Sequence, residues 1–162
     1  MDYQKAFDKV QHGKLVEILR KVGLDERDLR IIVNLYCGQT ASIRREAEDS
    51  DVIEIQRGVR QGCVLSPLLF NLYSEEIFKE ALDDIELGVS VNGQRLNNIR
   101  YADDTVVFAD NIEGLQELMT RVKDTSEKYG LTLNIDKTKF MIIREGTDVQ
   151  CTVPTYYQKP TN

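Results

Sequence analysis

Two adjacent carboxylates, Asp103 and Asp104, close the run Tyr101-Ala102-Asp103-Asp104. The flanks read as the arms of a β-hairpin. Leu96-Asn97-Asn98-Ile99-Arg100 runs up to the tip, and Thr105-Val106-Val107-Phe108-Ala109 runs away from it, β-branched and aromatic as strands prefer. Neighbouring aspartates repel at neutral pH, and a divalent cation ligated by both relieves that repulsion most simply. Asp is also an ordinary turn residue, a use that needs no metal.

Three further blocks carry side chains suited to chemistry. In Asp2-Tyr3-Gln4-Lys5-Ala6-Phe7-Asp8 a carboxylate precedes an aromatic by five positions, and the polar-to-apolar change at Ala6-Phe7 predicts a chain leaving a strand edge for a helix. Arg57-Gly58-Val59-Arg60-Gln61-Gly62-Cys63-Val64-Leu65-Ser66-Pro67 reads as a glycine-punctuated basic loop that runs into a helix, with Ser66 at the N-cap and Pro67 at the first helical position. The last block is Gly130-Leu131-Thr132-Leu133-Asn134-Ile135-Asp136-Lys137-Thr138-Lys139.

In this order, with the doublet third, the four blocks resemble motifs A, B, C and D of a reverse transcriptase palm. They are most similar to those of the non-LTR (LINE-type) retrotransposon enzymes, over nearly everything from Asp2 to about Arg144. The resemblance implies RNA-directed DNA synthesis, with an RNA template, a DNA primer and deoxynucleoside triphosphates as partners. Such nucleotidyl transfer is an in-line displacement at phosphorus, and two metal ions about 3.5–4 Å apart stabilise its attacking and leaving oxygens. Hard oxygen ligands favour magnesium, with manganese as a substitute.

By the same resemblance Asp2 and Asp103 are the bridging metal ligands and Asp104 binds less directly. Phe7 stacks under the incoming sugar as a gate against the ribose 2′-hydroxyl. Gln61 and Gly62 lie along nucleotide and template, Tyr101 supports the hairpin and touches the primer end, and Lys137 stands near the leaving pyrophosphate. Asp8, just after the gate, is expected to cap the first helix or face solvent. Asp2 and Asp103 are far apart in the chain, so only adjacent pairing of their strands would bring them together.

Leu15, Ile18, Leu19 and Val22 recur at helical spacing until Gly23, and a second helix is expected from near Asp25, with Leu29, Ile32, Val33 and Tyr36 on one face. Residues 40–56 read as two strands around the acidic turn 46–51. A third helix over residues 67–82 is apolar at Leu69, Leu72, Tyr73 and Ile77 and is expected beneath a sheet. Asn92-Gly93 signals a tight hairpin between strands at 89–91 and from Gln94 on. A fourth helix follows Asp110-Asn111, with Leu115, Leu118, Met119 and Val122, and ends at Gly130. Short strands at 131–134 and 139–143 complete the pattern.

The expected fold is therefore α+β, an antiparallel palm sheet with helices on one face. Residues 1–144 form that domain. Residues 145–162, with two of the three prolines and no periodicity, form a disordered tail. By the resemblance, the first strand is expected to lack its leading residues before Asp2, and fingers and thumb to be largely missing.

The 162 residues suit one domain, with ordinary apolar (41%) and charged (30%) fractions. No apolar run approaches a membrane span and no signal-peptide pattern opens the chain, so the expected location is intracellular, in nucleus or cytoplasm. Three scattered cysteines and the single His12 support neither a disulfide framework nor a zinc site. With 21 Lys and Arg against 27 Asp and Glu, the formal charge of −6 argues against a strong grip on a phosphate backbone by this chain alone.

Two other readings remain open on sequence. One is a retroelement-derived fragment without turnover that serves at most as a binding module. The other is a group II intron-type reverse transcriptase, which shares a similar Tyr-Ala-Asp-Asp block.

Overall fold

A computed structural model describes residues 1–44, 51–143 and 150–152, the last three by their backbone alone. The elements run α1 (Ala6–Lys9), α2 (His12–Lys21), α3 (Glu26–Tyr36), β1 (Gln39–Ala41), β2 (Ile53–Ile55), α4 (Ser66–Leu82), β3 (Val89–Val91), β4 (Gln94–Leu96), β5 (Asn98–Tyr101), β6 (Asp104–Val107), α5 (Ile112–Lys128), β7 (Phe140–Ile142) and β8 (Gln150–Thr152). The fold is α+β. Among the described residues no helix is long and apolar enough to cross a membrane.

The helices follow local signals. The Asp25 side chain caps α3 by accepting from the backbone N–H groups of Arg27 and Asp28, and the Asn111 side chain caps α5 by accepting from that of Gly114. The third helix departs from expectation at its start. Ser66 is its first residue, not its cap; its hydroxyl donates to Arg60 O (2.6 Å) and meets the Tyr36 hydroxyl (3.1 Å). Those bonds tie the basic loop to α4 and α3.

The α4 helix is buried on more than the one stripe that its sequence suggested. Leu69, Phe70, Tyr73 and Ile77 join the larger core with Tyr3, Leu15, Leu19, Leu29 and Leu131. Phe78, Ala81 and Leu82 join a second cluster with Leu118 and Val122 of α5. The buried face is wide and passes from one cluster to the other along the helix, while Glu75 and Lys79 keep to its open side.

Strands pair only with near neighbours in sequence. Among the described residues there are, instead of the expected single sheet, four two-stranded antiparallel ladders, β1-β2, β3-β4, β5-β6 and β7-β8. The turn 46–51 lies, except for Asp51, outside the described residues. Within the stretch expected as a tail, Gln150–Thr152 pair with β7; the rest of that stretch lies outside the described residues. Asn92 and Gly93 both take positive φ (50° and 80°), as a primed hairpin turn requires.

What stands in for a sheet at the site is a set of backbone bonds around the start of the chain. Met1 and Thr105 exchange hydrogen bonds (2.8 and 3.1 Å). On the other side Tyr3 bridges Leu133 in antiparallel sense, flanked by Gln4 N–H to Thr132 O and Asn134 N–H to Asp2 O, both 2.8 Å. Residues 1–4 thus lie between β6 and the 131–134 stretch. They are too short a run to count as a strand, yet they are bonded on both edges. The β5-β6 hairpin is in turn seated on α4: the Arg100 guanidinium pairs with Glu75 (2.7 Å) and lies 4.7 Å from the Phe78 ring centre.

The buried Tyr3 hydroxyl meets the Ser126 hydroxyl at 2.8 Å, and desolvation raises its pKa from 10.0 to about 12. Below pH 10 this phenol is neutral whether the chain is folded or not. Between pH 10 and about 12 only the unfolded chain ionises it, so stability falls as pH rises through that window. Urea unfolding is expected to lose about 2 kcal/mol through Tyr3 between pH 9 and 12. A Tyr3→Phe chain measured in parallel loses less by that amount.

Candidate active site

The carboxylate doublet reaches the end of its hairpin through an unusual backbone. Tyr101 pairs with Asp104, leaving Ala102 and Asp103 as the two-residue turn, and Ala102 takes φ +53° without being glycine. The other described non-glycine residues with positive φ are Asn92, in its primed turn, and Lys5, at +50° where the chain turns from residues 1–4 into α1. Such conformations cost about 1 kcal/mol or more and gather at functional sites. Lys5 and the Ala102 turn flank one cleft.

That cleft, of about 430 Å³, is lined by Asp2, Tyr3, Lys5, Ala6, Phe7, Asp8, Gln61, Asp103, Asp104 and Lys137. Six of the eight residues expected at the site, Asp2, Phe7, Gln61, Asp103, Asp104 and Lys137, are therefore brought together. Gly62 lines an adjoining cavity of about 340 Å³ with Arg60, Cys63, Ser66 and Pro67, and Phe7 and Gln61 line both spaces. Gly62 has φ +82° and open space where a Cβ would stand, so conformation rather than crowding within the chain explains its glycine. Tyr101 lines neither space; it is 85% exposed and pairs across the hairpin with Asp104.

Phe7 is half-buried, and its ring stacks on Phe70 with centroids 4.9 Å apart and planes 16° from parallel. It joins the core and also forms a wall of the cleft. Asp8 is exposed, the second of the two places its sequence suggested, and it has a partner besides. It does not cap α1; its carboxylate accepts from the Gln61 amide (3.2 Å) across the cleft edge. A four-residue helix offers no periodicity from which this direction could be read. Lys5, also missed, gave no signal beyond its charge.

The loop that carries Gln61 is pinned to the chain around α1. Val59 N–H donates to Phe7 O (2.8 Å), Gly58 N–H donates to Val10 O (2.7 Å), and the buried His12 ring meets Gly58 O (2.8 Å). A bridge between Gln11 and Arg57 extends the contact. At the mouth of the adjoining cavity the Cys63 thiol is held below its usual range, chiefly by the Leu65 backbone N–H.

Four carboxylates and two ammonium groups line the cleft. Asp2, with its side chain only 18% exposed, is paired with Lys137 at 3.4 Å. Lys137 is delivered there by a turn whose first residue, Asn134, donates its N–H to Asp2 O, accepts from Lys137 N–H on its own side chain (3.3 Å), and accepts from Thr138 N–H and hydroxyl on its carbonyl.

Asp2, Asp103 and Asp104 supply hard oxygen donors that suit a divalent cation of the magnesium class. Among the described residues, no three acidic, histidine or cysteine side chains are drawn close enough to enclose an ion together. The chemistry of these oxygen donors suits such an ion, and the Lys137 ammonium stands against Asp2.

A family model described as "Reverse transcriptase (RNA-dependent DNA polymerase)" matches residues 1–160. The chain is similar to the Retrovirus-related Pol polyprotein from type-2 retrotransposable element R2DM of Drosophila melanogaster, at 33% identity over 94% of this chain and 14% of that protein. A Retrovirus-related Pol polyprotein from type-1 retrotransposable element R2 of Popillia japonica is 30% identical over 85% of this chain and 20% of its own length. The RNA-directed DNA polymerase from mobile element jockey of Drosophila funebris is 23% identical over 85% of this chain and 15% of its own length. The chain thus spans a fifth or less of each of these relatives, and the likeness to non-LTR elements expected from the four motifs holds.

Gly58 is the pivot of the loop: at φ +99° an added Cβ would stand 3.1 Å from the Asp8 carbonyl oxygen. Gly58→Ala is expected to cost about 1–3 kcal/mol in urea unfolding. The same substitution is expected to shift the Gln61 side-chain amide signals in a ¹⁵N spectrum, because the loop withdraws from Asp8.

Proposed function

The chain belongs to the reverse transcriptase (RNA-dependent DNA polymerase) family, and from that premise we propose that its cleft is the palm active site of a non-LTR retrotransposon enzyme that extends a DNA primer on an RNA template. One observation carries this reading: Asp2, Phe7, Gln61, Asp103, Asp104 and Lys137, from four separate stretches of sequence, line a single cleft. The relatives among R2 and jockey elements favour it over a group II intron enzyme.

Reverse transcriptases work with divalent metal ions. Here two magnesium ions, or manganese in their place, held by Asp2 and Asp103 with support from Asp104, would stabilise the attacking and leaving oxygens of the phosphoryl transfer. The chain's own residues do the rest. Phe7, backed by Phe70, presents a rigid ring where the sugar of the incoming nucleotide lies, and rejects a 2′-hydroxyl by contact. Gln61, steadied by Asp8, and Gly62 form the wall along nucleotide and template. Lys137 supplies positive charge for the departing pyrophosphate. Tyr101, exposed on the hairpin, meets the primer end.

The excess of 27 acidic over 21 basic side chains favours weak nucleic-acid binding by this chain, and a role without turnover is the reading that this excess would support. Primer extension on poly(rA)/oligo(dT) separates the two. With magnesium, the chain is expected to incorporate deoxythymidylate, and Asp103→Asn to lower the rate by about 10²-fold or more, the scale of losing several kcal/mol of transition-state stabilisation. Equal background from both chains discards catalysis. In the same assay Phe7→Val is expected to raise ribonucleotide relative to deoxynucleotide incorporation.

A further inference from the structure

We propose that Lys137 is a built-in competitor for the cation at Asp2, so that a divalent ion loads by displacing the ammonium group. The inference rests on the reading of the cleft as a metal site. Three observations carry it.

The first is the pairing: Lys137 Nζ lies 3.4 Å from Asp2 Oδ2, against the carboxylate assigned as a bridging ligand. The second is how the pairing is built. Asn134 bonds both the backbone of Asp2 and the backbone of Lys137, so the lysine is led to this carboxylate by the same residue that fixes the carboxylate's strand. The third is the difference in exposure. The Lys137 side chain is 71% exposed and that of Asp2 18%, so the ammonium can leave toward water while the carboxylate stays.

Charge explains why such a device is useful. Asp2, Asp8, Asp103 and Asp104 share the cleft with Lys5 and Lys137 alone among charged side chains of the described residues. One ammonium on Asp2 lessens the mutual repulsion of the carboxylates. The ammonium half of the pair is largely exposed and loosely held, so a divalent ion can win the competition. Once displaced, Lys137 becomes available to an anionic ligand of the same cleft, which couples cation loading to anion binding.

The test is Mn²⁺ titration of the full chain, followed by the loss of the free-ion electron paramagnetic signal. Lys137→Met is expected to bind Mn²⁺ about two- to fivefold more tightly than the unaltered chain, the range set by an exposed pair. Lys137→Gln is expected to behave alike, and Lys139→Met to stay within error of the unaltered chain. In a ¹⁵N spectrum of the unaltered chain, magnesium is expected to shift the Lys137 and Thr138 amides. Unchanged or weaker binding by both Lys137 variants overturns the inference. Asp103→Asn separates this from the metal-site reading: tighter binding by the Lys137 variants with no loss in Asp103→Asn keeps the competitor and removes the shared site. Loss in Asp103→Asn with no gain in the Lys137 variants does the reverse.

Discussion

Everything at the site depends on residues 1–4 being held along both edges by backbone hydrogen bonds. Thr105 of β6 holds Met1 on one side, and Thr132 and Asn134 hold Gln4 and Asp2 on the other. Because the bonds belong to the backbone, they fix the position of Asp2 whatever its side chain does. The hairpin that brings Asp103 and Asp104 is attached to the same strand through Thr105, and the turn that brings Lys137 is attached through Asn134. Four charged groups are therefore placed by one short piece of chain.

Around this seam the packing is asymmetric. The buried side of the hairpin rests on α4 through Arg100, Glu75 and Phe78, while Tyr101 and Val106 face outward. Helix α4 touches both core clusters, so it fixes the hairpin relative to α1 and the basic loop at its own start. Phe7 shows how the two requirements meet in one residue. One side of its ring is spent on Phe70, and the ring also forms part of two adjoining cavities. A side chain anchored in this way keeps its orientation without a ligand's help.

Much of this was legible in the sequence, for reasons that differ by element. The periodic runs from Leu15 to Leu19 and from Leu29 to Tyr36 declare α2 and α3, because each buries a single face; Val22, which continues the first period, is exposed past the helix end. Asn92-Gly93 declares its hairpin because two successive positive φ angles need those residue types. The four spaced motifs marked eight residues, and six of them meet in the cleft. The breadth of the buried face of α4 and the Gln61 partner of Asp8 were not legible. The two ends of α4 join different clusters, which broadens its buried face beyond one stripe, and a helix of four residues has no period. The pairing of Lys137 with Asp2 was hidden for another reason: it is made by a turn hinged at Asn134, whose two backbone partnerships depend on the tertiary pairing of distant segments. Ser66 gave a misleading signal, since a serine before a proline suits a cap, but here its hydroxyl serves Arg60 and Tyr36.

The central claim is that the first carboxylate and the distant doublet share one cation environment. Paramagnetic broadening by substoichiometric Mn²⁺ in the ¹⁵N spectrum of the chain measures it directly. The account predicts that the amides of Asp2, Tyr3, Asp103 and Asp104 broaden together at the lowest additions, with that of Lys137 among them. Broadening of the doublet while Asp2 and Tyr3 stay sharp would contradict it.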